Sequence, residues 1–553
     1  MMFSAANHSR VNHRTAFVCG AVVVLLTFVG STSSAAAGGR WDVCREGCRY
    51  QQIGPALAAA GDGDTIRVGP GIYTAGLTIT ASVTLVGAGR HSTIIRGGGP
   101  VLTIGSFGAA TQPTVALRGL TITGGTTRTS PVSIPLRGAA GVIAAGGGIE
   151  IPPGTDFGPE QNPRFGPGAT VSITDSSIIG NRVAPTTTAP SRIAVCPTGP
   201  CPFASALGGG IDSWGTLAID RTVVSHNRVG TSSGLSVLAS DVEGGAIQHN
   251  AGDLTISNSS FEDNVASASS PNGRFADGGA IFAAGRSVTL NDDVFRSNKA
   301  ILAAGLPDTV QMVAQAGALH LGEELSAATI VDTEFFNNTA RMTNTAGKTY
   351  ANSGAVHSNV TLTLARDIFS RNSVVSITLP GSPGTAAGDA GAGEVSGDIS
   401  DTRFVGNSVT VRSASGDALA GGGGPLFSGT MTRSLIKDNR VIAASPFGRV
   451  EVDGAGLEAG DYELALKNTK VTGNIGIATG SSGSARGGGI FNAQATGGPP
   501  GGPLQLLSSY VTGNKVFGGP GVAASGGGVF STHPVELAES VVVRNWPDQC
   551  VGC

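Results

Sequence analysis

The chain has 553 residues, and its 35 Lys and Arg against 38 Asp and Glu give a formal net charge of −3. That balance leaves no basic surplus for phosphates and argues against nucleic acid as the main partner. Glycine takes 86 positions without a G-X-Y period, and 40% of the chain is apolar, so neither collagen nor a disordered chain is expected.

The first element is a targeting segment. Arg10 and Arg14 precede an apolar run over 15–30, and small residues fill 31–37. This is the order of a secretory signal, with Ala35-Ala36-Ala37 as the cleavage site and Gly38 as the expected mature N-terminus. An uncleaved anchor is the alternative. No second apolar span follows, so a secreted or cell-surface chain is expected. Cys19 would leave with the signal. The six remaining cysteines form three close pairs: Cys44 and Cys48, Cys196 and Cys201, Cys550 and Cys553. Export permits disulfides, and closeness favours local loops among the fifteen possible connectivities. Cys550 and Cys553 have CxxC spacing but no partner pair nearby, so no metal is expected, and no cofactor.

Next, Ile53 and Leu57 stand at helical spacing within 50–60, which predicts a short helix covering the first rung of a sheet. We take 38–61 as an N-terminal cap. Short β-branched segments follow at 64–68, 77–79, 83–86, 93–95, 101–104 and 120–122, each a strand candidate bounded by Gly or polar residues.

A repeat then runs to the end of the chain. One element is a glycine run ending on an aliphatic residue, as in Gly147-Gly148-Ile149, Gly209-Gly210-Ile211, Gly279-Ala280-Ile281 and Gly488-Gly489-Ile490. The second is an apolar residue three before an asparagine, with Ser, Thr or Asp two residues before the apolar one. Its asparagines are Asn181, Asn227, Asn264, Asn298, Asn338, Asn372, Asn407, Asn439, Asn474, Asn514 and Asn545. From Asn181 to Asn545 is 364 residues over ten intervals, about 36 per copy, and the variable part mostly follows Asn. Such a unit cannot bury its own apolar face, whereas stacked units can. The aliphatic and Phe/Ile/Val positions become internal ladders, and the asparagines bond amide to amide along the stack. The Ser/Thr/Asp column bonds the backbone of the same corner. The expected fold is all-β, a right-handed parallel β-helix solenoid over 62–545 with a short N-terminal capping helix and a C-terminal cap over 546–553. The Ala-, Ser- and Gly-rich segments after Asn read as packed or mobile insertions.

The chain resembles the pectin-lyase-like group of secreted β-helix repeat proteins. Gly-Pro-Gly-Ile-Tyr at 69–73, Val-Thr-Leu-Val-Gly-Ala-Gly at 83–89 and Ser-Thr-Ile-Ile at 92–95 resemble the opening coils of pectin methylesterases. The alternating Gly-Gly-Ala-Ile and Phe-x-x-Asn units are similar to those of polymorphic outer-membrane proteins, a family of surface adhesins. The catalytic motifs of pectin methylesterases, polygalacturonases and calcium-dependent lyases are missing from the sequence, as are nucleotide loops and metalloprotease motifs.

Alternation puts the residue after the aliphatic position on the outer face of its strand. That column reads Glu150, Asp212, Gln248, Phe282, His320, His357, Ser396, Phe427, Glu458, Phe491 and Phe530. Neighbouring rungs at about 4.8 Å would make Glu150 and Asp212 a carboxylate pair, the only weak candidates for catalysis, at a retaining-glycosidase separation. Phe282, His320 and His357 are the candidate ligand contacts, since aromatic and polar groups in a line suit an extended glycan. The plainer alternative is a solvated or loop-covered face. The sequence therefore predicts a monomeric β-helix protein that binds or presents a surface to a polysaccharide or another envelope component. A polysaccharide lyase or hydrolase is the alternative, and a structural spacer the second.

Overall fold

The computed structural model describes residues 38–128, 141–156, 164–185, 203–231, 239–269, 273–307, 311–493 and 502–553. Among them no helix is long and apolar enough to cross a membrane. The 1–37 segment and the Cys196/Cys201 pair lie outside the described residues.

The chain is a parallel β-helix. One coil shows the plan. Gly273–Asp277 leads through glycines into Ile281–Ala283, followed by Ser287–Asn291, Val294–Arg296 and Lys299–Ala304, and then by Val313–Gln315 of the next coil. Each strand pairs in parallel with its counterpart one coil on: Ile281 with Leu319, Val288 with Ala328, Phe295 with Phe335 and Lys299 with Thr339. Stacking gives four long sheets. A wide sheet contains both the Ile281–Ala283 and the Ser287–Asn291 kinds of strand, a closing sheet the Val294–Arg296 kind, and two lobe sheets the Lys299–Ala304 and Gly273–Asp277 kinds.

The four sheets enclose two cores. The larger lies between the wide and closing sheets and holds Ile, Leu and Val with a stack of phenylalanines. Phe261, Phe295, Phe335, Phe369 and Phe404 follow one another at ring spacings of 4.7–5.0 Å, each flat on the next. The second core lies between the lobe sheets and is built mostly of Ala and Val, among them Val229, Ala266, Ala340, Val409 and Ala478. The described parts of the segments after Asn, expected as insertions, contain regular strands, such as Lys299–Ala304 and Ser373–Thr378. Small side chains alternate inward there because the lobe is thin.

Between the lobes the coil is pinched, and this explains the glycine runs. A Cβ on Gly209 would lie 2.7–2.8 Å from the Arg228 backbone, and one on Gly210 would lie 3.1 Å from the Asn227 side chain. Neither leaves room for a methyl group. On the far side of the pinch stands the asparagine ladder. Each Asn Nδ2 donates to the Oδ1 of the next asparagine at 2.8–3.1 Å, without a break from Asn181 to Asn545. The same Oδ1 accepts the backbone N–H of the preceding asparagine, as Asn298 Oδ1 does from Asn264 at 3.1 Å. The second amide hydrogen goes to a carbonyl of the preceding coil, Phe261 in the case of Asn298. Each amide is thus fully satisfied although buried. The left-handed residue of this corner is the one before asparagine, Ser297 at φ 56°, and not asparagine itself. The Ser/Thr/Asp column bonds backbone N–H groups, but at the adjoining corner and not at the asparagine corner: Thr222 N–H donates to Ser259, Ser259 N–H to Asp293, and Thr333 N–H to Asp367.

The first coils are shorter versions of the same unit without the second lobe. Arg40–Val43, Thr65–Val68, Thr84–Gly87 and Thr114–Arg118 pair in order in the wide sheet. The capping helix spans Ile53–Ala59 and buries Ile53 and Ala56 in the large core. Disulfides join Cys44 to Cys48 and Cys550 to Cys553, and Cys550–Val551 adds a last strand beside Val529–Ser531.

Candidate functional site

The pinch leaves a crease on the side opposite the asparagines. One wall is the outer face of the wide sheet, and the other is the outer face of the lobe sheet that feeds the glycine run. The expected outer column lies in this crease and is not an open surface. Glu150 and Asp212 are 2% and 3% exposed, and His320 and His357 6% and 7%. The facing wall, whose strand comes just before the glycine run, covers them. Register also corrects two members. His357 pairs with Glu394, Glu394 with Leu426, and Leu426 with Glu458. Glu394 and Leu426 therefore occupy the column where Ser396 and Phe427 were expected. Gly393 and Pro425 take the inward aliphatic position, and Phe427 is buried in the core.

The second wall supplies a polar column that the sequence reading did not pick out. Its members directly precede the glycine runs: Glu243, Asp277, Gln315, Asn352, Asp389, Gly421, Asp453 and Arg486. The signal was available from Glu243 onward, since a polar residue precedes the glycine-containing turn in most copies, whereas Ala145 and Leu207 hold that place in the first two.

At the N-terminal end Glu150 and Asp212 are in register on adjacent strands. Burial first, then the Glu150 and Glu243 carboxyls, push Asp212 well above the usual carboxylate range. Gln248 Nε2 donates to Glu243 Oε2 at 2.8 Å and to Asn250 Oδ1 at 2.9 Å. Burial and Asp241 raise Glu243 to about 7. In the middle Phe282, which is half-buried, lies 4.7 Å from the His320 ring, and His320 lies 4.9 Å from His357. Burial and the neighbouring His357 hold the His320 imidazole well below its ordinary value, so it is neutral. The exposed Asn359 amide touches both rings, His357 Nε2 at 3.2 Å and His320 Nε2 at 3.4 Å.

The next coils are the richest in chemistry. Glu394 Oε2 accepts from Asn352 Nδ2 at 2.5 Å and lies 3.4 Å from His357 Nδ1. Burial would raise Glu394, but His357 and the Asn352 bond outweigh it, so the group stays ionised below its ordinary value. Ser353 Oγ is 3.3 Å from the same His357 Nδ1. Serine and glutamate thus meet one nitrogen, which is no Ser–His–acid relay, because that needs both ring nitrogens. Tyr350 bonds Asp389, and burial with Glu394 raises Asp389 to about 7. Glu458 is held well above the usual range by burial, Asp389 and Asp453. Arg486 grips Asp453 through two bonds of 2.8–2.9 Å and lies over the stacked rings of Phe491 and Phe530.

Among the described residues no group of three or more His, Cys, Asp or Glu is placed to hold a metal ion. A hollow of about 580 Å³ lies elsewhere, under the Cys44–Cys48 loop, lined by Arg40, Trp41, Arg49, Tyr50 and Arg67. It is local to the cap, whereas the crease runs along the repeats.

No protein-family model matches the chain, and no curated protein matches it. Among solved structures the chain is similar to the Azotobacter vinelandii mannuronan C-5 epimerase AlgE6 A-module. The identity is 13% over 88% of this chain and 93% of that one, with a TM-score of 0.25. The fold assignment rests on the strand register above.

Proposed function

We propose that the crease binds an extended, largely uncharged polymer, a polysaccharide first, and that the chain works as a secreted or cell-surface binding protein. The observation that supports this is the continuity of the two facing columns. Eight rungs from Phe282 to Phe530, at about 4.8 Å each, make a groove of about 34 Å. Along it stand the Phe282 ring, the His320 and His357 imidazoles, the Glu394 and Glu458 carboxyls, and the Phe491 and Phe530 rings at the C-terminal end. Rings meet the apolar faces of sugars, and the polar groups meet hydroxyls. Glu394, held ionised, and Asp453, raised only to about 6, argue against a polyuronate, which they would repel. Burial raises Glu243 and Asp389 to about 7 and pushes Glu458 well above the usual carboxylate range, which favours the protonated form that donates as well as accepts hydrogen bonds.

Affinity electrophoresis of the chain in gels cast with β-glucan, xylan, galactomannan, chitosan or polygalacturonate tests this reading. Retardation by a neutral polymer and not by polygalacturonate is the expected result. Absence of retardation in every gel would leave the structural-spacer reading instead.

A further inference from the structure

Gly421 interrupts the second wall. Its neighbours in that column are Asp389 and Asp453, and the missing side chain leaves a notch between them. Glu458 reaches across the crease into this notch. A Cβ on Gly421 would overlap Glu458 Oε2 and lie 3.0 Å from Asp389 Oδ1. The two carboxyl oxygens are therefore no more than about 5 Å apart, which is below the separation an inverting pair needs to hold a water between its carboxyls. Both residues are partly exposed, whereas Glu150 and Asp212 are closed to a polymer. The surroundings also differ between the two. Asp389 is anchored by the Tyr350 hydroxyl and the Gly421 N–H, which hold a carboxylate in place. Glu458 Oε2 is buried without a hydrogen-bond partner.

We propose that Asp389 and Glu458 hydrolyse glycosidic bonds of the polymer in the crease, with retention of configuration. The proposal rests on the polysaccharide-binding reading and adds a reaction to it. Asp389 attacks the anomeric carbon as the bond to the leaving sugar oxygen breaks, and Glu458 gives its proton to that oxygen. Water then attacks the glycosyl–Asp389 ester and passes a proton to Glu458, and Asp389 departs as the carboxylate. No further reactant is needed. The environments divide the roles, because the Tyr350 hydroxyl and the Gly421 N–H hold Asp389 as a carboxylate, whereas Glu458 Oε2 is buried without a donor to stabilise its charge and burial beside Asp389 and Asp453 pushes it well above the usual carboxylate range. Activity is thus expected to rise as pH passes through about 7 and to fall as Glu458 ionises.

The test is to incubate the full chain with mixed-linkage β-glucan, xylan, galactomannan and chitosan, following reducing ends and the anomeric proton of the first product by NMR. Asp389→Asn and Glu458→Gln are compared with the parent, and binding on affinity gels and thermal melting are recorded for all three. The expected result is a retained anomer, and about a thousand-fold loss of rate in each variant with binding and melting kept. An inverted product, or variants as active as the parent, would overturn the assignment. Binding without cleavage of any polymer would overturn hydrolysis and leave the binding reading standing. Neither binding nor cleavage would overturn both.

Discussion

Asn298→Leu removes one rung of the asparagine ladder. Four hydrogen bonds are lost: from Asn298 Nδ2 to Asn338 Oδ1 and to the Phe261 carbonyl, and to Asn298 Oδ1 from the Asn264 backbone and side chain. At a net worth of about 1 kcal/mol each, the loss is about 4 kcal/mol. Leucine also leaves the Asn264 N–H facing an apolar group in a corner where water has no access. The left-handed position belongs to Ser297, so backbone strain adds nothing. Lys299→Ala, one residue on and exposed, should stay within about 0.5 kcal/mol of the parent. Urea unfolding gives the stability difference. Amide hydrogen exchange localises it, because about 4 kcal/mol corresponds to nearly a thousand-fold faster exchange at Asn264. Equal urea midpoints for the two variants, or unchanged exchange at Asn264, would refute the ladder as the source of stability.

Three further outcomes are expected. Asp293 and Asp367 replace hydroxyl residues in the Ser/Thr/Asp column, and burial raises them to about 7 and about 8. A raised folded pKa means that the folded chain holds these protons more tightly than the unfolded chain. Their stabilisation is complete below about pH 4 and is lost as pH rises through 7–8, at about 1.4 kcal/mol per pH unit for each proton. Asp367→Thr should flatten urea midpoints measured between pH 5 and pH 9, and an unchanged slope would count against this. Gly209→Ala should abolish soluble protein because its methyl meets the Arg228 backbone, while Gly61→Ala, with nothing within 4 Å, should express like the parent. Phe282→Ala should weaken polysaccharide retardation with melting largely kept, while Glu150→Gln leaves retardation intact. A destabilised Phe282→Ala chain whose parent binds no polymer would make the ring a packing element only.

The large lobe was legible because its columns use distinctive residues. Asn keeps phase through all eleven copies, with Phe, Ile or Val three residues before it and a glycine-containing run ahead of the aliphatic position, and each has a physical reason to recur at its own corner. The small lobe was not, because its inward positions are Ala and Val among Ser and Gly, as in Val265-Ala266-Ser267-Ala268. Such a stretch has little hydrophobic contrast, yet in a thin lobe a methyl group suffices to fill the space. Missing the lobe meant missing the second wall, so the column of Glu150, Phe282 and His320 was taken for an outer face. The slip at Glu394 has a related cause. Aligning copies on an aliphatic residue favours Val395 over Gly393, whereas the hydrogen-bond register ignores side-chain size and places Gly393 inward. The Asp389–Glu458 approach was beyond sequence reasoning, because it joins residues 69 apart through the absence of a side chain at Gly421.

The glycine pinch fixes the gauge of the crease. Glycines of successive coils are joined by backbone hydrogen bonds, as from Gly209 to Gly244 and from Gly245 to Gly278, and the asparagine amides packed against them are themselves tied coil to coil. The walls cannot part in one coil without parting from those above and below. On the binding reading proposed above, a polymer would meet a slot already cut to width and spend little of its affinity on reshaping it. Such a slot would select by thickness, admitting an unbranched strand along its open coils and refusing a branched one there.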